Sequence, residues 1–228
     1  MRISFSKFNA VTYGEKSESV YIYVHGLGGC KEDAEEFSKI AERKGFQVLA
    51  FDLPGHGERK KDSEKISTPP FQKAADDLEA VYDVAHSDWK NVYLYAVSLG
   101  AYLSLAAYQG FEIKKALLVS PVVNMKNLIE RIMKKSDITP EILKERKNIP
   151  ELNLSWDYYK FTLDNEITDW EIQTEILYPE LDDLTPRDEV EEFTKKFNCG
   201  LTVLPNGEHY IHKEEDLKIL RAWEEEKI

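Results

Sequence analysis

The stretch V-Y-L-Y-A-V-S-L-G at residues 92–100 decides the fold of this chain. It begins as a run of β-branched and aromatic residues, which is typical of a buried strand, and passes at Ser98 into a helical pattern. A sharp turn between a strand and a helix projects its side chain above the sheet, and small residues at 96 and 100 leave room for neighbouring backbone. The stretch therefore predicts a nucleophile elbow at Ser98, although a serine N-cap on an ordinary strand–helix unit fits the same letters.

Strand-like and helix-like segments alternate on both sides of this stretch. The predicted strands are 20–24, 46–51, 92–97, 116–120, 174–178 and 200–204, and the predicted helices are 31–44, 71–86, 99–109, 126–134, 140–147 and 213–226. A further helix is expected to open at Thr185, with Thr185 as N-cap and Pro186 at its first position. Such alternation predicts an α/β protein with a mostly parallel central sheet and helices on both faces. The alternation of strands and helices is interrupted at about 122–170, where we expect a helical cap inserted into one domain spanning 1–228.

The loop H-G-L-G-G at 25–29 directly follows the first buried strand. Its glycines let the loop approach another backbone, so the amides of Leu27 and Leu99 are candidate donors to an oxyanion. A phosphate-binding loop is the rival interpretation, but the spacing of its glycine fingerprint is missing. We interpret His25 as a structural histidine, and F-D-L-P-G-H-G at 51–57 as a turn fixed by its glycines and proline.

A serine nucleophile needs a histidine to take its proton and a carboxylate to orient that histidine. In the strand–elbow–helix arrangement the chain order is serine, acid, histidine, and this sequence supplies it at the ends of strands. His209 is the candidate base, and Asp182 is the preferred acid, with Asp183 as a competitor. The pair His209 and His212 is weak evidence for a metal site without a third ligand, so we expect no metal and no cofactor.

Composition excludes several classes of partner. The 30 Lys and Arg against 42 Asp and Glu give a formal charge of −12, which argues against a nucleic-acid partner because phosphate binding needs a basic face. No apolar run has the roughly 20 residues that span a bilayer. Residues 1–8 alternate like an opening strand rather than a signal peptide, and Cys30 and Cys199 fit free thiols, so we expect a cytoplasmic protein.

Taken together, these motifs resemble the α/β-hydrolase family over nearly the whole chain, and most closely its small esterases and its serine-aminopeptidase and monoglyceride-lipase-like branch. The motifs that carry the resemblance, in the family's order, are Y-V-H-G-L-G-G at 23–29, F-D-L-P-G-H-G at 51–57, A-V-S-L-G at 96–100, D-D-L-T-P at 182–186 and N-G-E-H at 206–209. The resemblance implies the α/β-hydrolase fold with its cap after the sixth strand, the triad of Ser98, Asp182 and His209, and oxyanion donors at Leu27 and Leu99. Ala96 and Pro179 stand where many relatives have glycine.

The function that follows is hydrolysis of a carboxylic ester through an acyl-enzyme, with a small-molecule ester or thioester as substrate. Thioesterase or peptidase action would use the same residues, and a non-catalytic ligand-binding protein would need a damaged triad. We expect Gly26, Gly28, Trp156 and Tyr159 to contact the substrate, while other aromatic residues near 156–161 pack the cap onto the sheet. The oligomeric state is not readable from the sequence.

Overall fold

A computed structural model of the chain describes residues 3–5, 9–61 and 70–228, of which residues 3–5 are described by their backbone. Its strands are β1 (Ile3–Phe5), β2 (Ala10–Tyr13), β3 (Ser19–Val24), β4 (Gln47–Ala50), β5 (Asn91–Val97), β6 (Ala116–Val119), β7 (Asn148–Ile149), β8 (Leu154–Ser155), β9 (Thr174–Pro179) and β10 (Gly200–Leu204). Its α-helices are α1 (Glu35–Arg43), α2 (Pro70–Asp88), α3 (Leu99–Ala107), α4 (Met125–Lys135), α5 (Pro140–Arg146), α6 (Trp156–Asp164), α7 (Arg187–Phe197) and α8 (Glu214–Lys227).

Within the described residues, eight strands form one sheet in the order β1-β2-β4-β3-β5-β6-β9-β10. Every neighbouring pair from β4 to β10 is parallel, and only the pairings of β2 are antiparallel. The expected α/β fold with a mostly parallel sheet is confirmed. Because the carboxyl ends of parallel strands lie at one edge, the loops that follow β3, β5, β9 and β10 meet there.

The alternation of side chains along β3 shows why helices cover both faces of the sheet. Val20 and Ile22 point into a core shared with α2 and α3, whereas Tyr21 and Tyr23 point into a second core shared with Phe37 of α1. Successive residues of a strand face opposite sides, so a strand that is apolar at every position needs cover on both. Helices on both faces therefore follow from the composition of this strand.

The insertion between β6 and β9 contains helices α4, α5 and α6 and a short antiparallel ribbon of β7 and β8. The sequence predicted its first two helices but not α6, because the aromatic residues at its start gave no clear helical period. Ser155 caps α6 by accepting hydrogen bonds from the amides of Asp157 and Tyr158. The insertion follows the sixth strand of the chain, as the resemblance implied.

Two features of the structure differ from what the sequence predicted. The antiparallel strand β2 had no counterpart in the sequence reading, because its four residues A-V-T-Y are too few for a periodic signal. Thr185 is not the N-cap of α7, which begins at Arg187 with Pro186 in the cap position. The backbone of Thr185 is engaged elsewhere: its amide donates to Asp182 and its carbonyl accepts from the Tyr178 hydroxyl.

In the described part of the chain, no helix is both long enough and apolar enough to cross a bilayer.

Candidate active site

Ser98 forms the sharp turn between β5 and α3. Its backbone has φ 49° and ψ −113°, a strained conformation that costs about 1–3 kcal/mol and persists only where the surroundings fix it. The Ser98 amide donates to Val119 of the neighbouring strand at 3.1 Å, and its carbonyl accepts from the Ala101 amide at 3.1 Å. These bonds hold the serine at the carboxyl edge of the sheet with its side chain directed away from the strand.

Gly100 is required by the close crossing of this turn over the end of β3. A Cβ atom at Gly100 would lie 2.4 Å from the carbonyl oxygen of His25 and 2.6 Å from that of Val24, both immovable backbone atoms. Ala96, which replaces the first glycine of the common elbow motif, is buried without such a conflict. The departure at Ala96 therefore leaves the turn intact.

His209 and Asp182 complete a hydrogen-bonded chain with Ser98. The Oγ atom of Ser98 lies 2.7 Å from Nε2 of His209, and Nδ1 of His209 lies 2.7 Å from Oδ2 of Asp182. The side chain of Asp182 is fully buried and that of His209 is 13% exposed. Oδ1 of Asp182 accepts from the amides of Leu184 and Thr185, both at 2.9 Å. The carboxylate is thus held by N–H donors on both oxygens.

The loops that carry the acid and the base are bonded directly to each other. The amide of Glu180 donates to the carbonyl of Leu204 at 3.0 Å, and the amide of Leu181 donates to that of Gly207 at 2.8 Å. These contacts continue the parallel pairing of β9 with β10 beyond the strand ends. Pro179 is accommodated as the last residue of β9, and its carbonyl accepts from the Asp182 amide at 3.2 Å.

Of the two adjacent aspartates, the structure directs Asp182 to His209 and leaves Asp183 exposed. His212 is exposed as well, with its Nδ1 bonded to the Tyr210 carbonyl and its ring stacked on Tyr210. Among the described residues, no group of three or more His, Cys, Asp or Glu could hold a metal ion. Cys30 and Cys199 are free thiols.

The loop after β3 presents a tight turn beside the serine. The amide of Gly29 donates to the carbonyl of Gly26 at 3.1 Å, and Gly28 has φ 78°, which a glycine adopts without strain. A Cβ at Gly26 would lie 3.3 Å from that of Ser98, so glycine lets the loop approach the nucleophile. Leu27 is 71% exposed, and within the described chain neither its amide nor that of Leu99 has a hydrogen-bond acceptor.

A cavity of about 370 Å³ opens beside Ser98 between the sheet and the insertion. Leu27, Ser98 and Leu99 lie on its wall, and its apolar lining includes Phe71, Leu103, Val122, Ile129, Leu154 and Tyr158. Phe71 and Tyr158 stack with ring centroids 4.3 Å apart and planes 9° apart, which joins α2 to α6. The serine therefore faces an apolar compartment closed by the insertion.

Two of the expected substrate contacts lie between helices of the insertion, and their contact with a substrate stays a prediction. Trp156 and Tyr159 are not among the residues that line the cavity. The Tyr159 hydroxyl donates to Glu130 of α4 at 2.8 Å, and Lys144 of α5 lies over the Trp156 ring. Both side chains join the helices of the insertion to one another, and Tyr158 is the aromatic residue of α6 that lines the cavity.

Gly26 and Gly28, the other expected substrate contacts, do not line the cavity either. Gly26 approaches the nucleophile, and Gly28 shapes the turn that carries Leu27. The cavity-lining residues that the sequence analysis missed had a visible signal on the predicted helix 126–134. Leu128, Ile129 and Ile132 recur at helical spacing and mark an apolar face.

His25 is buried and hydrogen-bonded, as the sequence interpretation expected. Its Nε2 accepts from the Leu53 amide at 3.0 Å and its Nδ1 lies 2.8 Å from the carbonyl of Gly26. Burial lowers the pKa of His25, which keeps the ring neutral. His25 is therefore separate from the Ser98–His209–Asp182 chain.

Comparison with known proteins agrees with this fold. The family model described as serine aminopeptidase, S33, matches residues 15–158. No curated protein matches the sequence.

Solved structures show the same fold at low identity. Est1E from Butyrivibrio proteoclasticus, with ferulic acid bound, is 17% identical, covers 99% of this chain and 96% of its own, and has a TM-score of 0.72. The monoacylglycerol lipase of Paleococcus ferrophilus is 16% identical, with 96% and 97% covered and a TM-score of 0.68. The esterase Pf2001 of Pyrococcus furiosus is 17% identical, with 99% and 88% covered and a TM-score of 0.66.

Proposed function

Since this chain belongs to the serine aminopeptidase S33 family of α/β-hydrolases, we propose that it is a serine esterase that cleaves carboxylic esters through an acyl-enzyme. The observation that carries the proposal is the hydrogen-bonded chain from Ser98 through His209 to Asp182, with 2.7 Å at each step, on the wall of an apolar cavity. Nucleophile, base and orienting acid in hydrogen-bond contact are the arrangement that activates a serine hydroxyl.

The first half of the reaction forms the acyl-enzyme. Asp182 accepts a hydrogen bond from Nδ1–H of His209, so the lone pair of Nε2 faces Ser98 in the neutral imidazole. Ser98 Oγ attacks the ester carbonyl while Nε2 takes its proton, and the new oxyanion is bound by the Leu27 and Leu99 amides. The C–O bond to the alcohol then breaks, and the imidazolium gives its proton to the departing alkoxide.

The second half releases the acid. A water molecule attacks the acyl carbonyl, and Nε2 of His209 takes one of its protons. The bond between the acyl carbon and Ser98 Oγ breaks, and the proton returns to Oγ. Asp182 stays ionised throughout and stabilises the imidazolium in both steps. The strained backbone of Ser98 holds its hydroxyl on the cavity wall and within hydrogen-bond distance of His209, so no rearrangement is needed before the attack.

The lining of the cavity favours an ester over a peptide with a free amino terminus. Among the described lining residues there is no aspartate, glutamate, lysine or arginine, so no carboxylate is placed there to bind an ammonium group. An apolar lining suits an uncharged acyl group, and a volume of about 370 Å³ is within the size of known ligand pockets. An esterase and a monoacylglycerol lipase share the fold, which agrees with an ester as substrate.

Covalent labelling tests the proposal directly. A fluorophosphonate probe is expected to label the protein at one residue, and Ser98→Ala is expected to abolish both labelling and turnover of p-nitrophenyl esters. Ser120→Ala is the matched control, because Ser120 directly follows the neighbouring strand β6 but is buried with 1% exposed. The control variant should keep the labelling and the turnover of the unaltered protein.

The panel of p-nitrophenyl esters should extend from acetate to long acyl chains and include a matched thioester and an aminoacyl anilide. Faster turnover of the thioester or the anilide than of the best ester would replace the esterase proposal with thioesterase or peptidase action. A protein that is neither labelled nor active on any of them, yet binds an ester analogue, would be a ligand-binding protein on this scaffold.

A further inference from the structure

We infer that the segment Asp52–Leu53 clamps both ends of the oxyanion loop, residues 25–31, and that Asp52 is a positioning residue for the Leu27 amide. The inference rests on the proposed function and gives a role to the F-D-L-P-G-H-G motif at 51–57, which supplies no group to the triad. It is carried by the hydrogen bonds between the loop that follows β3 and the loop that follows β4.

The first end of the oxyanion loop is held through His25. The Leu53 amide donates to Nε2 of His25 at 3.0 Å, so the proton of the neutral ring is on Nδ1. Nδ1 then donates to the carbonyl of Gly26 at 2.8 Å, which also accepts from the Gly29 amide at 3.1 Å. The Gly26 carbonyl and the Leu27 N–H are the two ends of one planar peptide. Fixing that carbonyl therefore fixes the direction of the Leu27 donor.

The other end is held through Lys31, which is the last residue of the loop and is 5% exposed. Its amide donates to Oδ1 of Asp52 at 2.9 Å, and its Nζ donates to Oδ2 at 2.9 Å. Oδ2 also accepts from the Glu58 amide at 3.0 Å. The carboxylate of Asp52 thus accepts from three N–H donors and joins the two loops. Asp52 is fully buried, so this contact is shielded from solvent.

The surroundings are built around this ion pair. A Cβ atom at Gly57 would lie 2.2 Å from Oδ1 of Asp52, so the glycine leaves the space that the carboxylate fills. Burial alone would raise the pKa of Asp52, but the hydrogen bonds from Lys31 and Glu58 lower it overall. Burial alone would lower the pKa of Lys31, but Asp52 and Glu58 raise it overall. Both groups are therefore charged, and the contact is an ion pair.

The test removes the Lys31 and Asp52 charges together, because removing one of them alone would leave the other buried charge without its closest ion-pair partner. Lys31→Met with Asp52→Leu removes both acceptor oxygens of Asp52 at similar volume and leaves the bond from the Leu53 amide to His25 in place. We expect kcat on p-nitrophenyl butyrate to fall by about 10- to 100-fold, part of the loss caused by removing a whole oxyanion donor. KM should change less than about twofold, because the donor acts on the transition state.

A second pair of substitutions keeps the test decisive if the first variant does not fold. Lys31→Met with Asp52→Asn retains an acceptor for the Lys31 amide but loses the bonds from Lys31 Nζ and from the Glu58 amide. We expect kcat to fall by about 3- to 10-fold in this variant, again with little change in KM. Lys227→Met with Glu175→Gln is the control, because this partly buried ion pair lies at the opposite edge of the sheet. The control should keep kcat at the level of the unaltered protein.

Amide hydrogen exchange supplies a readout that needs no turnover. In either clamp variant, residues 25–31 should exchange at least about tenfold faster, while residues 91–107 exchange as before. A folded clamp variant with unchanged exchange and unchanged kcat would overturn the inference, and faster exchange with unchanged kcat would overturn the positioning role. An unaltered protein without turnover, but with faster exchange in the variants, would refute the esterase proposal and leave the clamp standing.

Discussion

Strand β5 supplies two polar sites, and each ends in a buried carboxyl group. At the carboxyl edge of the sheet, Ser98 follows the strand and connects through His209 to Asp182. Three residues earlier, the hydroxyl of Tyr95 points to the opposite face and donates to Oε1 of Glu224 on α8 at 2.5 Å. Tyr95 and Ser98, three residues apart, thus lead to two different acids, Glu224 and Asp182, whose side chains are both buried.

The two acids differ in their hydrogen-bond partners. Asp182 lies in a loop and accepts three N–H groups, from His209, Leu184 and Thr185. Glu224 lies within a helix packed on the sheet, and within the described residues its Oε2 has no partner. Burial therefore raises the pKa of Glu224 from 4.5 to about 7 despite the hydrogen bond from Tyr95. Loops can direct several N–H donors at a buried carboxyl group, whereas the sheet offers Glu224 one hydroxyl, and burial then raises the pKa of Glu224 because it penalises the charged form.

The largest effect is expected from breaking the carboxylate end of the first site with Asp182→Asn. The amides of Leu184 and Thr185 would bond the carboxamide oxygen, so the carboxamide NH₂ would face His209. Nδ1 would then have to accept a hydrogen bond, and Nε2 would carry the proton that it should take from Ser98. We expect kcat to fall by about 10⁴-fold with little change in stability.

Asp183→Asn is the matched control for this change, because Asp183 is adjacent to Asp182 and exposed. Steady-state kinetics of both variants on one p-nitrophenyl ester make the measurement. A greater loss of kcat for Asp183→Asn would assign the orienting role to the other aspartate and contradict the geometry.

A smaller effect, on stability instead of activity, is expected from Glu224→Gln. With a pKa of about 7 in the folded state and 4.5 in the unfolded state, the folded protein binds more protons between these values. The free energy of unfolding of the unaltered protein should therefore fall as pH rises from about 4.5 to about 7, by up to about 3 kcal/mol, and stay level above. Glu224→Gln should remove this dependence and be the more stable form at pH 8.

Urea unfolding at a series of pH values measures this difference. Glu215→Gln is the control on the same helix, because Glu215 is exposed. The same pH dependence in Glu224→Gln as in the unaltered protein would mean that Glu224 is charged when buried. The proposed contrast between the two acids would then be lost. Turnover by Glu224→Gln should equal that of the unaltered protein, because Glu224 lies on the other face of the sheet.

The sequence predicted the first of these two sites and not the second, for a physical reason. Ser98, Asp182 and His209 each follow a strand, and the ends of parallel strands converge whatever the lengths of the connections. Glu224 stands in W-E-E-E-K at 223–227, where a run of charges suggests a solvated face. Only its spacing from Leu220 and Asp216 places it on the buried side of the helix, and that pattern is weak beside so many exposed acids.

The insertion was the least predictable region, because its packing depends on contacts between distant segments. Phe71 and Tyr158 are far apart in sequence, and their stacking is decided by how α6 rests on α2. The adjacent aromatic residues of α6 carried no sign of which one would face the cavity. Helical geometry turns successive residues by about 100°, so Tyr158 and Tyr159 face different neighbours once the helix is placed.

This pair of tyrosines gives the last and smallest prediction, which extends the comparison to two neighbours on one helix. Tyr158→Ala removes part of the cavity wall and leaves Phe71 without its stacking partner, so the cavity should accept longer acyl chains. A methylene in an apolar pocket contributes about 1–3 kcal/mol to specificity. We therefore expect kcat/KM for longer p-nitrophenyl esters, relative to the butyrate, to rise by about tenfold.

Tyr159→Phe is the control, because it removes the hydroxyl that bonds Glu130 and leaves the cavity lining unchanged. Its profile of kcat/KM against acyl length should match that of the unaltered protein, with only a small loss of thermal stability. If Tyr158→Ala keeps the same profile, the acyl chain does not reach Tyr158. If Tyr159→Phe shifts the profile instead, the acyl group lies against the side of α6 that faces α4. Tyr159 would then contact the substrate, as the sequence analysis predicted.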